Sequence, residues 1–350
     1  MRLLLTGFIL HLPISTWGAV LEIHDAAELT AALAKPRAGD IWKLHPGEFR
    51  GGHFLNNVKD LTIEAADPQH PPTFSGGTTA WHLTRCHGLT LRHLSVSGQS
   101  DNGINLDDGG PDQGAVHGVT LENLTIRDIG PTGNFDGIKC SGLADLTIRA
   151  CTIHGWGGQA IDLVGCHRAL ITDCRILGKT GFSQHTGPQF KGGCEDIILE
   201  KCTIRNAGSR PIQLGGSTGL SYFRPVGATF EARRITVRAN HIEGGECAAA
   251  FTGVDGAEFS QNTVIHPTKW FFRVLTENEN PGFPPTQNVI LSNNTFTFLR
   301  SQISTPINQG PNTLPAALTF THNSWFAEDK PSDSNPRLAT PEVGGRYGVK

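Results

Sequence analysis

The sequence is poor in charge, in tyrosine and methionine, and in long apolar runs. Charged residues make up 17% of the 350 positions, and 29 basic against 32 acidic side chains leave a formal net charge of −3. With no dominant sign, there is no global field to draw in nucleic acid or an anionic membrane surface. No apolar stretch reaches the roughly 18 residues of a membrane-spanning helix. Eight cysteines are present, at 86, 140, 151, 166, 174, 194, 202 and 247, but no Cys-x-x-Cys pair. The spacing of a structural zinc site is therefore missing. Helical periodicity of useful length is absent after residue 35.

What is there begins with MRLLLTGFILHLPISTWGA. A basic residue, a short apolar run broken by His11 and Pro13, and small residues at Gly18 and Ala19 read as a signal peptide over residues 1–18. The expectation is an exported protein, secreted or periplasmic, with no membrane anchor. A single domain is expected over residues 19–328, with a tail at 329–350.

A repeat organises the rest. Short segments share an ending: LENLTI (121–126), IRACTI (148–153), ITDCRI (171–176), LEKCTI (199–204), VRANHI (237–242), FSQNTV (259–264), LSNNTF (291–296) and FTHNSW (320–325). One aligned column reads Asn123, Cys151, Cys174, Cys202, Asn240, Asn262, Asn294, Asn323. Strand-like alternation every 22 to 38 residues predicts the coils of a parallel β-helix, an all-β solenoid. Stacked asparagines satisfy one another and the turn backbone, and cysteine fits the same slot as a small buried group. Most cysteines are thus expected as stacked thiols, with disulfides between coils left open. LTAALAKPRAGDIWKLHPGEF (29–49) predicts a short N-terminal helix capping the core, then a Gly-Asp turn into the first coil.

A second strand precedes each ending: GINLD (103–107), GIKCS (137–141), AIDLV (160–164), QFKGG (189–193), PIQLG (211–215), AFTGV (250–254) and FFRVL (271–275). Aligned on Ile104, Ile138, Ile161, Phe190, Ile212, Phe251 and Phe272 pointing inward, the outward column is Asn105, Lys139, Asp162, Lys191, Gln213, Thr252 and Arg273. Rungs lie roughly 4.8 Å apart, so Lys191 is expected between Asp162 and Gln213. A polar outer face is ordinary for any exposed sheet, and a lysine–aspartate ladder at a surface contributes little stability. Mixed charges and amides on a glycine-rich floor also suit a sugar chain. Gln189, Trp156 at the preceding turn, and Tyr222 and Arg224 on the long loop GGSTGLSYFRPVG (215–227) are further candidates for contact with sugar.

Two chemistries compete. β-Elimination needs a base and cations or amides around a uronate carboxylate. Lys191 as base, with Arg210, Lys139 and Gln213 about the carboxylate, supplies these. Lys139 would lower the pKa of Lys191 and Asp162 would raise it. Hydrolysis needs two facing carboxylic acids, for which only Asp136 and Asp162 offer themselves. Oxygen donors for Ca²⁺ are sparse (Asp136, Asp162, Asn105, Asp107), so Ca²⁺ stays open as a cofactor without being indicated.

QFKGGCEDIILEKCTIRNAGSRPIQLGG resembles a stretch of secreted right-handed β-helix polysaccharide lyases of the chondroitinase B and alginate lyase type. There a catalytic lysine on one coil is followed by an arginine on the next. The resemblance implies a right-handed β-helix and Lys191 as base. It departs at the arginine, because Ile212-Gln213-Leu214 fills the strand position and Arg210 lies just before it. NFDGIKCSG (134–142) resembles the first motif of β-helix pectin hydrolases, which implies Asp136 as an acid. Their paired aspartates are absent from AIDLVG, and no Gly-His-Gly follows. The expected partner is an acidic polysaccharide, acted on by a monomeric lyase. The alternatives are a hydrolase or uronate epimerase using Asp136 and Asp162, or a non-catalytic carbohydrate-binding β-helix.

Overall fold

The computed structural model describes residues 18–314 and 316–349. The expected signal peptide lies outside these residues except for Gly18. The chain winds into a three-sided coil whose sides are parallel sheets of ten, thirteen and twelve strands. One turn of the coil shows the pattern. Ile138–Ser141 lies in the ten-stranded sheet, Leu143–Arg149 in the thirteen-stranded and Thr152–Trp156 in the twelve-stranded, before Gln159–Val164 begins the next turn directly beside Ile138–Ser141. The apolar residues of all three sheets meet in one continuous core, with Ile138, Ile148 and Ile153 wholly buried. Among the described residues no helix is long and apolar enough to cross a membrane.

The one α-helix among the described residues, Ala26–Ala34, starts where Asp25 accepts hydrogen bonds from the amides of Ala27 and Glu28. Its buried Leu29 and Ala32 cover the open end of the core, as the sequence predicts. A strand the sequence reading omits, Val20–Ile23, precedes it and pairs with Ile41–Leu44.

The corner between the thirteen- and twelve-stranded sheets carries the predicted asparagine stack. The backbone amides of Cys202, Asn240, Asn262 and Asn294 donate to the side-chain oxygens of Asn240, Asn262, Asn294 and Asn323, each at 2.9–3.0 Å. Each side-chain amide also donates to a core carbonyl, as Asn262 does to Val237. Higher up, the thiols of Cys151, Cys174 and Cys202 point to backbone carbonyls from the same position. All eight cysteines are buried free thiols. The stack is closed below by Glu342, which accepts from the backbone and side-chain amides of Asn323. The two-residue strand Arg346–Tyr347 adds a last rung beside Ser324–Ala327.

Asn123 does not belong to this stack. Strand pairing puts Glu122 opposite Arg149 and Thr125 opposite Thr152, so Leu124 stands in the slot of Cys151 and is buried. Asn123 is exposed at a left-handed corner, φ 52°, a conformation asparagine tolerates. The apolar slot at this coil marks where the column changes character.

Replacing Asn262 by alanine removes the acceptor for the backbone and side-chain amides of Asn240 and a donor to Asn294 and Val237. Buried groups left unmet cost about 1–3 kcal/mol each. Urea unfolding of Asn262→Ala is expected to show a loss of about 3 kcal/mol. A loss within error of zero would contradict the structural role given to this stack.

Candidate functional site

The ten-stranded sheet presents the polar ladder, and its register differs from the sequence alignment by one pleat. Asn105 lies opposite Lys139 and Lys139 opposite Asp162, as expected. Asp162, however, faces Gln189, and Gln189 faces Gln213. Lys191 pairs with Val164 and belongs to a second outward column. Thr252 also lies in that column, opposite Gly215, whereas Ala250 continues the first column between Gln213 and Arg273. Phe190 accordingly packs beside Leu163 and Leu214, and Pro188 takes the place beside Ile161. A slip of two residues leaves every side chain on its proper face, so alternation alone does not detect it.

The lysine nevertheless reaches the ladder diagonally. Its Nζ stands 3.1 Å from Oδ1 of Asp162. Lys139 takes the other oxygen: its Nζ donates to Oδ2 of Asp162 at 2.8 Å and to Oδ2 of Asp136 at 2.9 Å. The result is a chain of alternating charge, Asp136–Lys139–Asp162–Lys191. Both carboxylates are wholly buried, while the Lys139 and Lys191 side chains keep 26% and 19% of their exposure. Both lysines are therefore mostly buried, with part of each side chain left to solvent. The second oxygen of Asp136 accepts from the amide of Gln159 at 2.8 Å. Gly158 makes room for this, since a Cβ there would come within 2.6 Å of that same oxygen.

The protonation of this chain follows from burial and charge. Burial, and then the nearby Asp162, push the Asp136 carboxyl up to about 6, against the pull of Lys139 and the Gln159 amide. Burial works the same way on Asp162, but Lys191 and Lys139 outweigh it and hold that carboxyl below the usual range. Burial disfavours the Lys139 ammonium, yet Asp162 and Asp136 more than compensate and raise its pKa. Lys139 is therefore locked as a cation between two acids.

Two hollows open on this face and meet at Lys191 and Ser217. One, of about 390 Å³, is bordered by Lys191, Gln189, Gln213, Arg210 and His185. Arg210 donates from Nη1 to Oε1 of Gln213 at 2.8 Å, so the guanidinium is joined to the ladder although Arg210 precedes the strand. The other, of about 430 Å³, is bordered by Lys139, Asp162, Lys191, Asn134, Tyr222 and Arg224. Tyr222 is 66% exposed above it. Arg224 borders it too, but its Nε is tied to Oδ2 of buried Asp108 at 2.7 Å.

Several sequence candidates stand apart. Trp156 is no stacking platform: its ring is wholly buried and its indole N–H donates to the carbonyl of Thr186 at 2.8 Å. Packing under the turn prevails over display to solvent. Asp136 is near the hollows but has no exposed surface. Asn105 lies one rung above Lys139 and donates to Asp107. Arg273 lies two rungs beyond Gln213 and stacks over Trp270. Conversely, His185, Gln159, Ser217 and Glu277 line the first hollow, and no repeat in the sequence marks them. They sit on turns and loops or at a strand start, outside the column that repeats. Among the described residues no three His, Cys, Asp or Glu side chains gather as metal ligands.

Lys139→Met would leave Asp136 and Asp162 buried without the cation between them. Breaking a buried ion pair this way costs about 3–5 kcal/mol. Asp136 already holds its proton more tightly folded than a free carboxyl, and losing Lys139 tightens it further. A raised carboxyl pKa gives stability below that value that is lost as pH rises through it. Denaturant unfolding should therefore show the deficit of Lys139→Met at neutral pH shrinking by at least about 1 kcal/mol near pH 5. A deficit independent of pH would contradict the linked titration.

The comparisons with known proteins concern the fold. An alginate lyase from Paenibacillus sp. str. FPU-7 is 17% identical with a TM-score of 0.52, over 86% of this chain and 97% of its own. An exopolygalacturonase from Thermotoga maritima is 14% identical with a TM-score of 0.56, over 87% and 84%. The A-module of a mannuronan C-5 epimerase from Azotobacter vinelandii is 13% identical with a TM-score of 0.51, over 92% and 93%. At these identities the likeness is one of architecture. No curated protein matches the sequence. The model of one family, the right handed beta helix region, matches residues 79–269, more than half of the chain, and the protein belongs to that family.

Proposed function

We propose that the chain binds an acidic polysaccharide along its ten-stranded face and cleaves it by β-elimination, with Lys191 as base. The observation that carries this reading is the position of Lys191. It is the one charged side chain bordering both hollows, and it stands where they join. A sugar lying across the junction places its ring beside that nitrogen. Arg210 and Gln213 stand on the adjoining rung, and a guanidinium with a neighbouring amide suits a planar carboxylate.

In this mechanism the uronate carboxylate rests against Arg210 and Gln213. Lys191, once its ammonium has passed a proton to solvent, takes the proton from the carbon next to the carboxylate. The electron pair of that C–H bond forms the new C=C bond, and the glycosidic C–O bond to the neighbouring carbon breaks. The departing oxygen receives a proton, which protonated Lys191 can return on the same face. Negative charge develops on the carboxylate during proton removal, where Arg210 and Gln213 stabilise it. Lys139 and Asp162 set the charge around the base rather than touch the sugar.

Hydrolysis by Asp136 and Asp162 is disfavoured by the same geometry. A glycosidic bond must lie between the two carboxyl groups, and the ammonium of Lys139 already lies there. The likeness to an alginate lyase as well as to an exopolygalacturonase and an epimerase module is compatible with this choice without making it.

The test uses the chain on alginate, chondroitin, pectate and heparinoid substrates, following ultraviolet absorbance of the unsaturated product. The expected result is product from at least one of them, reduced at least about 100-fold in Lys191→Ala with the fold intact. Reducing ends without unsaturated product would replace the lyase reading with a hydrolase. Solvent deuterium entering the sugar without chain cleavage would replace it with an epimerase. Binding with neither would leave a carbohydrate-binding protein.

A further inference from the structure

Glu231 is the least expected charged residue near the site. It is wholly buried, yet every donor it meets is neutral. One oxygen accepts from the backbone amide of Gly192 at 2.9 Å and the hydroxyl of Thr218 at 2.7 Å. The other accepts from the backbone amide of Thr218 at 2.8 Å and the side-chain amide of Asn278 at 3.2 Å. Its backbone carbonyl also accepts from the amides of Gly193 and Cys194. Four bonds to two oxygens is the full acceptor capacity such a side chain uses. Burying this group without a cation is costly unless those bonds are all made.

The donors come from three segments. Gly192 and Gly193 form the turn immediately after Lys191. Thr218 begins the loop that carries Tyr222 and Arg224 over the second hollow. Asn278 belongs to the segment that follows Phe272–Leu275. The loop lies directly on the turn: the amide of Arg224 donates to the carbonyl of Gly192. A Cβ on Gly193, whose φ is 94°, would come within 2.3 Å of the Arg224 carbonyl oxygen. Two glycines after the lysine thus let the loop dock, and Glu231 pins loop and turn to one point. Independent contacts seat the far side of the loop. Arg224 is tied to Asp108, and buried Phe223 packs edge-on against Phe283.

We propose that Glu231 is a positioning residue for Lys191: it fixes the turn that aims the lysine and couples it to the loop over the groove. The inference rests on the reading of Lys191 as the base. Glu231 borders neither hollow and reaches Lys191 through the Gly192 amide and Thr218. Losing it should disturb the aim of Lys191 more than the seating of the sugar. The signature is a fall in kcat with KM nearly preserved, because misplacing a reacting group by a fraction of an ångström is enough to slow a step.

The experiment pairs Glu231→Gln with Asn278→Ala. Glutamine keeps the size but turns an NH₂ group toward donors. Asn278→Ala removes one of the four bonds and leaves the groove untouched. Hydrogen exchange of the Gly192 and Thr218 amides is measured in each, with kcat and KM on whichever uronate polymer the wild type cleaves. In Glu231→Gln both amides should exchange at least about tenfold faster, kcat should fall about 10- to 100-fold and KM should change less than about threefold. Asn278→Ala should shift the same quantities in the same direction by less. Amides unchanged in both variants, or unchanged kcat beside faster exchange, would overturn the proposal, as would a rise in KM alone. A wild type inert on every uronate polymer would sink the lyase reading. The exchange data would then still decide whether Glu231 joins loop and turn.

Discussion

Asp162 is a charged carboxylate with no exposed surface, and the site depends on how that charge is tolerated. Desolvating it costs several kcal/mol unless cations lie against it. Lys139 holds one oxygen and Lys191 stands against the other. Each lysine is therefore fixed in place by the need of the aspartate. Asp136 holds Lys139 from the other side. The four groups cancel in charge, which is how a chain with few charges can bury two acids in the wall of a groove. Of the four side chains, only the two lysines keep any surface to meet a ligand.

The β-helix makes such a chain possible. Residues 23 or 27 positions apart in sequence become direct neighbours when coils stack in register, as Lys139 does with Asp162 and Asp162 with Gln189. The architecture also separates tasks. The corner stack of Asn240, Asn262, Asn294 and Asn323 satisfies backbone amides along the axis. The ten-stranded face can then vary its side chains freely on its outer side, since the core needs only the inward ones. The long coil after Gln213 uses this freedom: its loop returns over the face and rests on the turn behind Lys191.

Much of this was legible in the sequence because the repeat is periodic. The alternation identified the strands, the parallel coil and the faces, and placed Asn105, Lys139 and Asp162 on successive rungs. What escaped it has definite causes. Period two is blind to a slip by two, so Lys191 and Thr252 were assigned one pleat from their true column. Asn123 was drawn into the asparagine stack by residue type, although Leu124 fills the slot. Trp156 looked available because a turn residue is usually exposed, but its indole N–H found a carbonyl inside. His185, Glu231 and Glu277 lie in stretches that do not repeat, where no periodic signal exists. Arg210 lies close to Gln213 in sequence, and the structure joins the two by a hydrogen bond.

The central claim is that a uronate is held where the two hollows meet, with its carboxylate at Arg210 and Gln213 and its ring beside Lys191. The most direct measurement is a crystal structure of Lys191→Ala soaked with a tetrasaccharide of a uronate polymer that the wild type cleaves. The account requires a sugar carboxylate within hydrogen-bond distance of the Arg210 guanidinium, and the adjoining α-carbon facing the space vacated by Lys191. An oligosaccharide bound elsewhere on the solenoid, or in this groove with its carboxylate turned away from Arg210, would contradict it.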